Sequence, residues 1–388
     1  MERDDLVSEP AMEHMKTPRD INAKIAEFVK LVNEVGPDIP VIAKKMGEHK
    51  ESVRYWFKKL LKQGIVIQPS VNFEMLGLAR VVAVVDFSKE FESQAEAILV
   101  AMSQLCYVQA FIKTLPEGHY IVHGAVPVES VGQWIETMRR LGEEGLFTSL
   151  EFSTYDWARN APMKSDLYDF DAGQWEFEWS TPAKVYPQVL QGPSAKAQVD
   201  KIDLEIIRRL QRDETKPLSE IQKETGINYK TLSFHHRKHV LGRQMLKGHK
   251  VNWIGTAYNP QSDSGKHRRH TYQPIDVIIR DITPSERATV MGLTNALPFL
   301  WWEASGRSSY YAQLAFPTET ISEAMEFLGR VLSPLKDRAR WFMADQKHTR
   351  AFGLEPKLYD NESRMWMFNQ AEVLGKFEQL LMQVKRGQ

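Results

Sequence analysis

The chain is poor in the features that mark several large protein classes. It has one cysteine, Cys106, in 388 residues. Neither an intrachain disulfide framework nor a four-cysteine zinc site can be built from it, and such usage fits a reducing cytoplasm. No apolar run approaches the ~18 residues that a membrane-crossing helix needs, so no membrane partner is expected. Met1 to Lys16 is charged and lacks an apolar stretch, so no secretion signal is expected there. A glycine-rich phosphate loop and a nucleophile elbow are both missing, and no catalytic pair is defined by spacing. A non-enzymatic chain without cofactor is therefore expected.

Net charge is missing too, since 50 Lys and Arg balance 50 Asp and Glu. The charges are nevertheless unevenly placed. Lys44, Lys45, Lys50, Arg54, Lys58, Lys59 and Lys62 face only Glu48 and Glu51. Lys230, Arg237, Lys238, Arg243, Lys247 and Lys250 have no acidic residue among them. Two basic islands on an acidic body fit two localised phosphate-contacting surfaces.

What the chain does have is an internal repeat. Leu167-Tyr168-Asp169 with Trp175 and Phe177 recurs, at the same spacing, as Leu358-Tyr359-Asp360 with Trp366 and Phe368. Pro127 corresponds to Pro317, and Met46-Gly47 to Thr225-Gly226, in the same order. A tandem duplication follows, with a polar insert, Asn259 to His270, in the second half.

Each half opens with three short helical patterns. In the first they are Ile21–Val35, Ile39–Lys45 and Glu51–Gln63, with Gly47 as the turn and Ile65-Val66-Ile67 starting a wing strand. In the second they are Ile202–Leu210, Leu218–Glu224 and Tyr229–Val240, with Gly226 as the turn. A strand–helix alternation of βαββαβ order then follows in each half. The expected fold class is α+β, with two winged helix-turn-helix domains alternating with two ferredoxin-like domains. Expected boundaries are a tail at 1–18, a first winged module at 19–75, a first sheet domain at 76–180 and a linker at 181–198. A second winged module at 199–258, a basic polar loop at 259–273 and a second sheet domain with a C-terminal helix at 274–388 complete the chain. Met163 to Gln174 reads as loop.

Met46-Gly47, Ser52-Val53, Phe57-Lys58-Lys59-Leu60 and Gly64-Ile65-Val66, with Asn72 to Gly77 linking into the first sheet strand, resemble the leucine-responsive/asparagine regulator family (Lrp/AsnC). The resemblance implies DNA binding by the helix-turn-helix. It also implies oligomerisation through the sheet domain, here as a homodimer or an intrachain pseudo-dimer, and a small-molecule effector of unidentified nature. The family carries one copy per chain and this protein carries two.

A recognition helix buries one face and offers the other to the major groove. In the first module Val53, Phe57, Leu60 and Leu61 are the core positions. Lys50, Ser52, Arg54, Tyr55, Lys58, Lys59 and Lys62 are then the DNA-facing set, with Arg54 suited to guanine and the lysines to phosphates. In the second module Lys230, Thr231, Phe234, His235, Arg237 and Lys238 face outward, and Phe234 suits a thymine methyl. Arg268 and Arg269 lie in the polar insert and suit a minor groove or phosphates. His235 and His239 stand four apart on one helix, as two metal ligands can, but no third ligand is evident nearby and no metal is expected. The expected function is sequence-specific binding of double-stranded DNA as a transcription regulator. An architectural DNA-coating protein is one alternative, and a tetrapyrrole-processing decarboxylase on the same fold is another.

Overall fold

The structure is a computed structural model that describes residues 18–62, 66–169, 174–180, 196–252 and 272–386. The first module consists of α1 (Pro18–Val35), α2 (Ile39–Met46) and α3 (Lys50–Lys62), followed by wing strand β1 (Val66–Val71). Phe28, Val29 and Val32 of α1 pack against Ile42, Val53 and Leu60 in a small core. Gly47 adopts φ 67° and its N–H bonds back to the carbonyls of Ala43 and Lys44, which closes α2 and makes the tight turn.

The first sheet domain follows the expected order: β2 (Leu78–Phe87), α4 (Ala95–Leu105), β3 (Val108–Leu115), β4 (Tyr120–Pro127), α5 (Val131–Glu143) and β5 (Phe147–Tyr155). Beyond it, β6 (Trp157–Asn160) and the small hairpin of β7 (Tyr168–Asp169) and β8 (Gln174–Trp175) are ordered. The loop expected at Met163 to Gln174 is thus replaced by packed structure where it is described. Tyr168 is buried beside Trp175, and Ser165 Oγ donates to the Ala26 carbonyl of α1.

The second module consists of α6 (Lys201–Leu210), α7 (Leu218–Thr225), α8 (Tyr229–Phe234), a π-helical turn at His235–Leu241 and wing strand β9 (Leu246–Asn252). Gly226 repeats the left-handed turn at φ 72°. The second sheet domain is β10 (Tyr272–Arg280), α9 (Pro284–Ala296), β11 (Leu300–Ser305), β12 (Ser309–Pro317), α10 (Ile321–Leu332) and β13 (Ala339–Ala351). The hairpin of β14 (Tyr359–Asp360) and β15 (Met365–Trp366) and the helix α11 (Gln370–Arg386) follow.

The two sheets join into one of nine strands, in the order β5-β2-β4-β3-β13-β10-β12-β11-β6. Strand β13 pairs with β10 of its own copy over Ala339 to Met343 and runs on to pair with β3, and β6, continuing from β5, pairs with β11. Each copy therefore extends strand pairing into the other. Alternation along each strand then separates two cores. Val81, Ala83 and Val85 of β2 face the helices of their own copy, whereas Val82 and Val84 meet Ile278, Tyr311 and Phe342 of the second copy.

The extensions exchange in the same sense. Trp175, Phe177 and Trp179 of the first half pack around Phe299 of the second. Trp366 of the second half donates from Nε1 to the Leu76 carbonyl at 2.7 Å and stands edge-on to Tyr107. Val373, Phe377 and Leu381 of α11 join the first copy's core, so the C-terminal helix lies on the first sheet domain rather than on its own.

Candidate nucleic-acid interface

The two wings form one antiparallel ribbon. Ile67 of β1 stands opposite Val251 of β9, and Gln68 opposite Lys250, with an irregularity after Pro69. Asn33 of α1 supports the ribbon by accepting from the Val251 N–H at 3.1 Å. Two helix-turn-helix modules are thereby held as a pair, which no single wing would achieve.

Helix α3 turns Val53 and Leu60 inward, with Phe57 and Trp56 partly covered. On the opposite stripe Lys50 and Lys58 are exposed, Tyr55 is 57% exposed, and Ser52 and Arg54 are half-buried. Arg54 is engaged by Glu51 one turn earlier. Glu51's carboxyl is correspondingly held below its usual range, first by that hydrogen bond. The side chains of Lys59 and Lys62 lie outside the described residues, as do Arg268 and Arg269 and the greater part of the basic loop that holds them.

The corresponding helix of the second module buries Leu232 and, in its π-helical turn, Val240. Lys230, Arg237 and Lys238 are exposed, Phe234 is 50% exposed, and Thr231 is half-buried. His235 does not face outward as expected. Its Nδ1 lies 2.9 Å from Oδ1 of Asp203 in α6, and His239 Nδ1 lies 3.1 Å from the same oxygen. A buried carboxylate attracts both rings inward, and burial raises the Asp203 carboxyl above its ordinary value. Phe234 meets both imidazoles edge-on.

The second basic island is smaller than its sequence suggests. Lys250 is buried in the wing ribbon, its Nζ donating to the Trp301 carbonyl at 3.1 Å and lying over the Trp301 ring. Burial pushes its pKa down to about 7. Lys247 pairs with Glu74, and Arg243 donates to the Gln198 carbonyl. Lys230, Arg237 and Lys238 remain as its outward charges.

Sequence reasoning missed a polar line between the two sheets. Tyr311 donates to Asp276 and lies 3.1 Å from His123 Nε2, while Gln313 donates to Asp276 Oδ1 at 3.0 Å. Burial raises the Asp276 carboxyl to about 7 and lowers the His123 imidazole to about 3, Arg80 adding to the latter. Arg80 is buried with Nε and Nη1 lacking a hydrogen-bond partner, its guanidinium over the rings of Phe73 and Trp302. Near the far end of this layer a cavity of about 190 Å³ is lined by Val84, Ile278, Arg280, Arg338, Arg340 and Phe342 among others. Its three guanidinium groups are already engaged by Glu151 and Glu286. The available signal was a polar residue inside an apolar strand: Arg80 in β2, His123 in β4 and Asp276 in β10.

Fold and site together define an internally paired protein. Two winged helix-turn-helix modules are clamped wing to wing above two ferredoxin-like domains that exchange strands. No family model and no curated protein matches the chain. Among solved structures it is similar to the siroheme decarboxylase NirDL, with TM-score 0.48 and 13% identity, covering 93% of this chain and 99% of that one. NirDL in complex with an iron-uroporphyrin III analogue matches with TM-score 0.49 and 12% identity over the same shares. AsnC of E. coli matches with TM-score 0.28 and 12% identity, covering 34% of this chain and 89% of that one. The expectation of a non-enzymatic chain is corrected accordingly: two of the structures it is similar to over 93% of its length are those of an enzyme, so the absence of an activity is not upheld.

Proposed function

We propose that the chain binds double-stranded DNA as a regulator, through two unlike helix-turn-helix modules presented as a fixed pair. The observation that carries this reading is the β1–β9 ribbon, which joins two modules whose recognition helices both leave basic side chains exposed. Lys50, Lys58, Lys230, Arg237 and Lys238 hold phosphates, and Arg54, released from Glu51, reads a base edge. Tyr55, Ser52, Thr231 and Phe234 complete the contact faces. His235 supports its helix from within. The test is binding of the full chain to labelled genomic fragments against excess competitor DNA. K58A and K238A are each expected to weaken binding across sequences and to lower the salt slope by about 1. Absence of binding by the intact chain at modest salt overturns the reading.

A second reading rests on Arg80. A buried guanidinium with two unpaired nitrogens is costly unless an anion meets it, and it lies on the same layer as His123, Tyr311 and Asp276. On this reading the layer between the sheets takes a carboxylate-bearing substrate, as a decarboxylase on this architecture would. Tetrapyrrole added to the purified chain is then expected to shift its visible absorption, with the shift lost in R80M. An unchanged spectrum counts against it.

A further inference from the structure

The structure assigns a divalent transition-metal site of the zinc class to Asp200, Asp203, His235 and His239. One ligand atom from each lies within 4.8 Å of all the others. The individual separations are more telling. His235 Nδ1 is 2.9 Å from Asp203 Oδ1 and 3.5 Å from Asp200 Oδ2, and His239 Nδ1 is 3.1 Å from Asp203 Oδ1. Tetrahedral zinc with bonds of about 2.0–2.1 Å sets neighbouring ligand atoms about 3.3 Å apart. Three of the six separations therefore already match the edges of such a tetrahedron, and the other three lie within 4.8 Å.

The backbone explains why they are held there. Asp200 is the N-cap of α6, and its Oδ1 accepts from the Ile202 and Asp203 N–H groups. Asp203 Oδ2 accepts in return from the Asp200 N–H at 3.2 Å. This reciprocal capping box uses one oxygen of each carboxylate and leaves Asp200 Oδ2 and Asp203 Oδ1 turned to the imidazoles. The π-helical turn begins at His235 and contains His239. Its wider winding brings the two rings to a 4.5 Å centroid separation, and such turns are frequent at functional sites. Two imidazoles and two carboxylates suit Zn²⁺ and its Co²⁺ surrogate. The ion would tie α6 to the second recognition helix, so its occupancy would set how firmly that helix is presented. The sequence hid the set because its halves lie more than thirty residues apart, with only the two histidines in one motif.

The probe is Co²⁺ titrated into the metal-stripped full chain, without DNA, so that the result is separate from the DNA-binding reading. One equivalent is expected to give the intense visible bands of tetrahedral Co²⁺, to be bleached by Zn²⁺ and to raise the melting temperature. In H235Q/H239Q both the bands and the shift are expected to vanish, while H348Q, at a histidine elsewhere, retains them. If the double variant fails to fold, D200N, which keeps one oxygen for the cap, is expected to weaken Co²⁺ binding at least tenfold. Absent tetrahedral bands and an unshifted melt in the wild-type chain overturn the assignment, as does an unchanged titration in H235Q/H239Q or D200N.

Discussion

Single residues differ here in how far their chemistry follows from their type. Lys58 and Lys238 are exposed, as the proposed contact faces require, but Lys250, in the same basic island as Lys238 by sequence, is sealed under Trp301. Asp276 is the converse case, a carboxyl held without a cation in contact and raised to about 7 by burial. Its folded-state pKa lies above the unfolded one, so the stability it contributes is present at acid pH and lost as pH rises through about 7. Asp276→Asn keeps an oxygen to accept from Tyr311 and Gln313 and removes the ionisation. Thermal melts at pH 4 are expected to match wild type, whereas at pH 8 the variant is expected to be more stable by roughly a few kcal/mol. A variant that is no more stable than wild type at pH 8 would show that this carboxyl ionises without cost.

At the scale of elements, the repeated Leu-Tyr-Asp…Trp motif turns out to be a device for exchange. The sequence shows the motif and a helix after its second copy, and both are present. It could not find their destination, because an aromatic side chain records that it will be buried and not by which neighbour. Trp366 closes the hairpin against Tyr107 and Tyr359 and bonds to Leu76 of the first half. Trp366→Ala is expected to cost about 3–5 kcal/mol, the range for removing a buried tryptophan. Hydrogen exchange should then accelerate in α5 and α11 and leave α9 and α10 protected. Faster exchange in α9 and α10 instead would mean that the extension stabilises its own copy.

The whole molecule is a dimer-like assembly made by one chain, and its two halves are unequal at every site that matters. The third helices of the two modules differ in composition, and among the described residues only the second is braced by a buried aspartate. On the proposed DNA-binding reading, two paired, unlike helices should select unlike half-sites about one helical turn, roughly 34 Å, apart. Selection from a random duplex library is expected to return an asymmetric site, and replacing either half-site by the mirror of the other should weaken binding at least tenfold. A palindromic consensus would mean that one module acts alone in a dimer of chains.

The sequence by itself determined the local elements. Helix α3, strands β4 and β5 and the turns at Gly47 and Gly226 follow from apolar periodicity and glycine placement, which act over a few residues, and the duplication followed from spacing alone. Only the tertiary structure decided which copy each extension joins, that the wings pair, that Lys250 is buried and that His235 turns inward to Asp203. These depend on contacts between segments far apart in the chain. Hydrophobic burial drives such contacts without direction, so the partner is chosen by shape, strand edges and the need to satisfy each buried polar group.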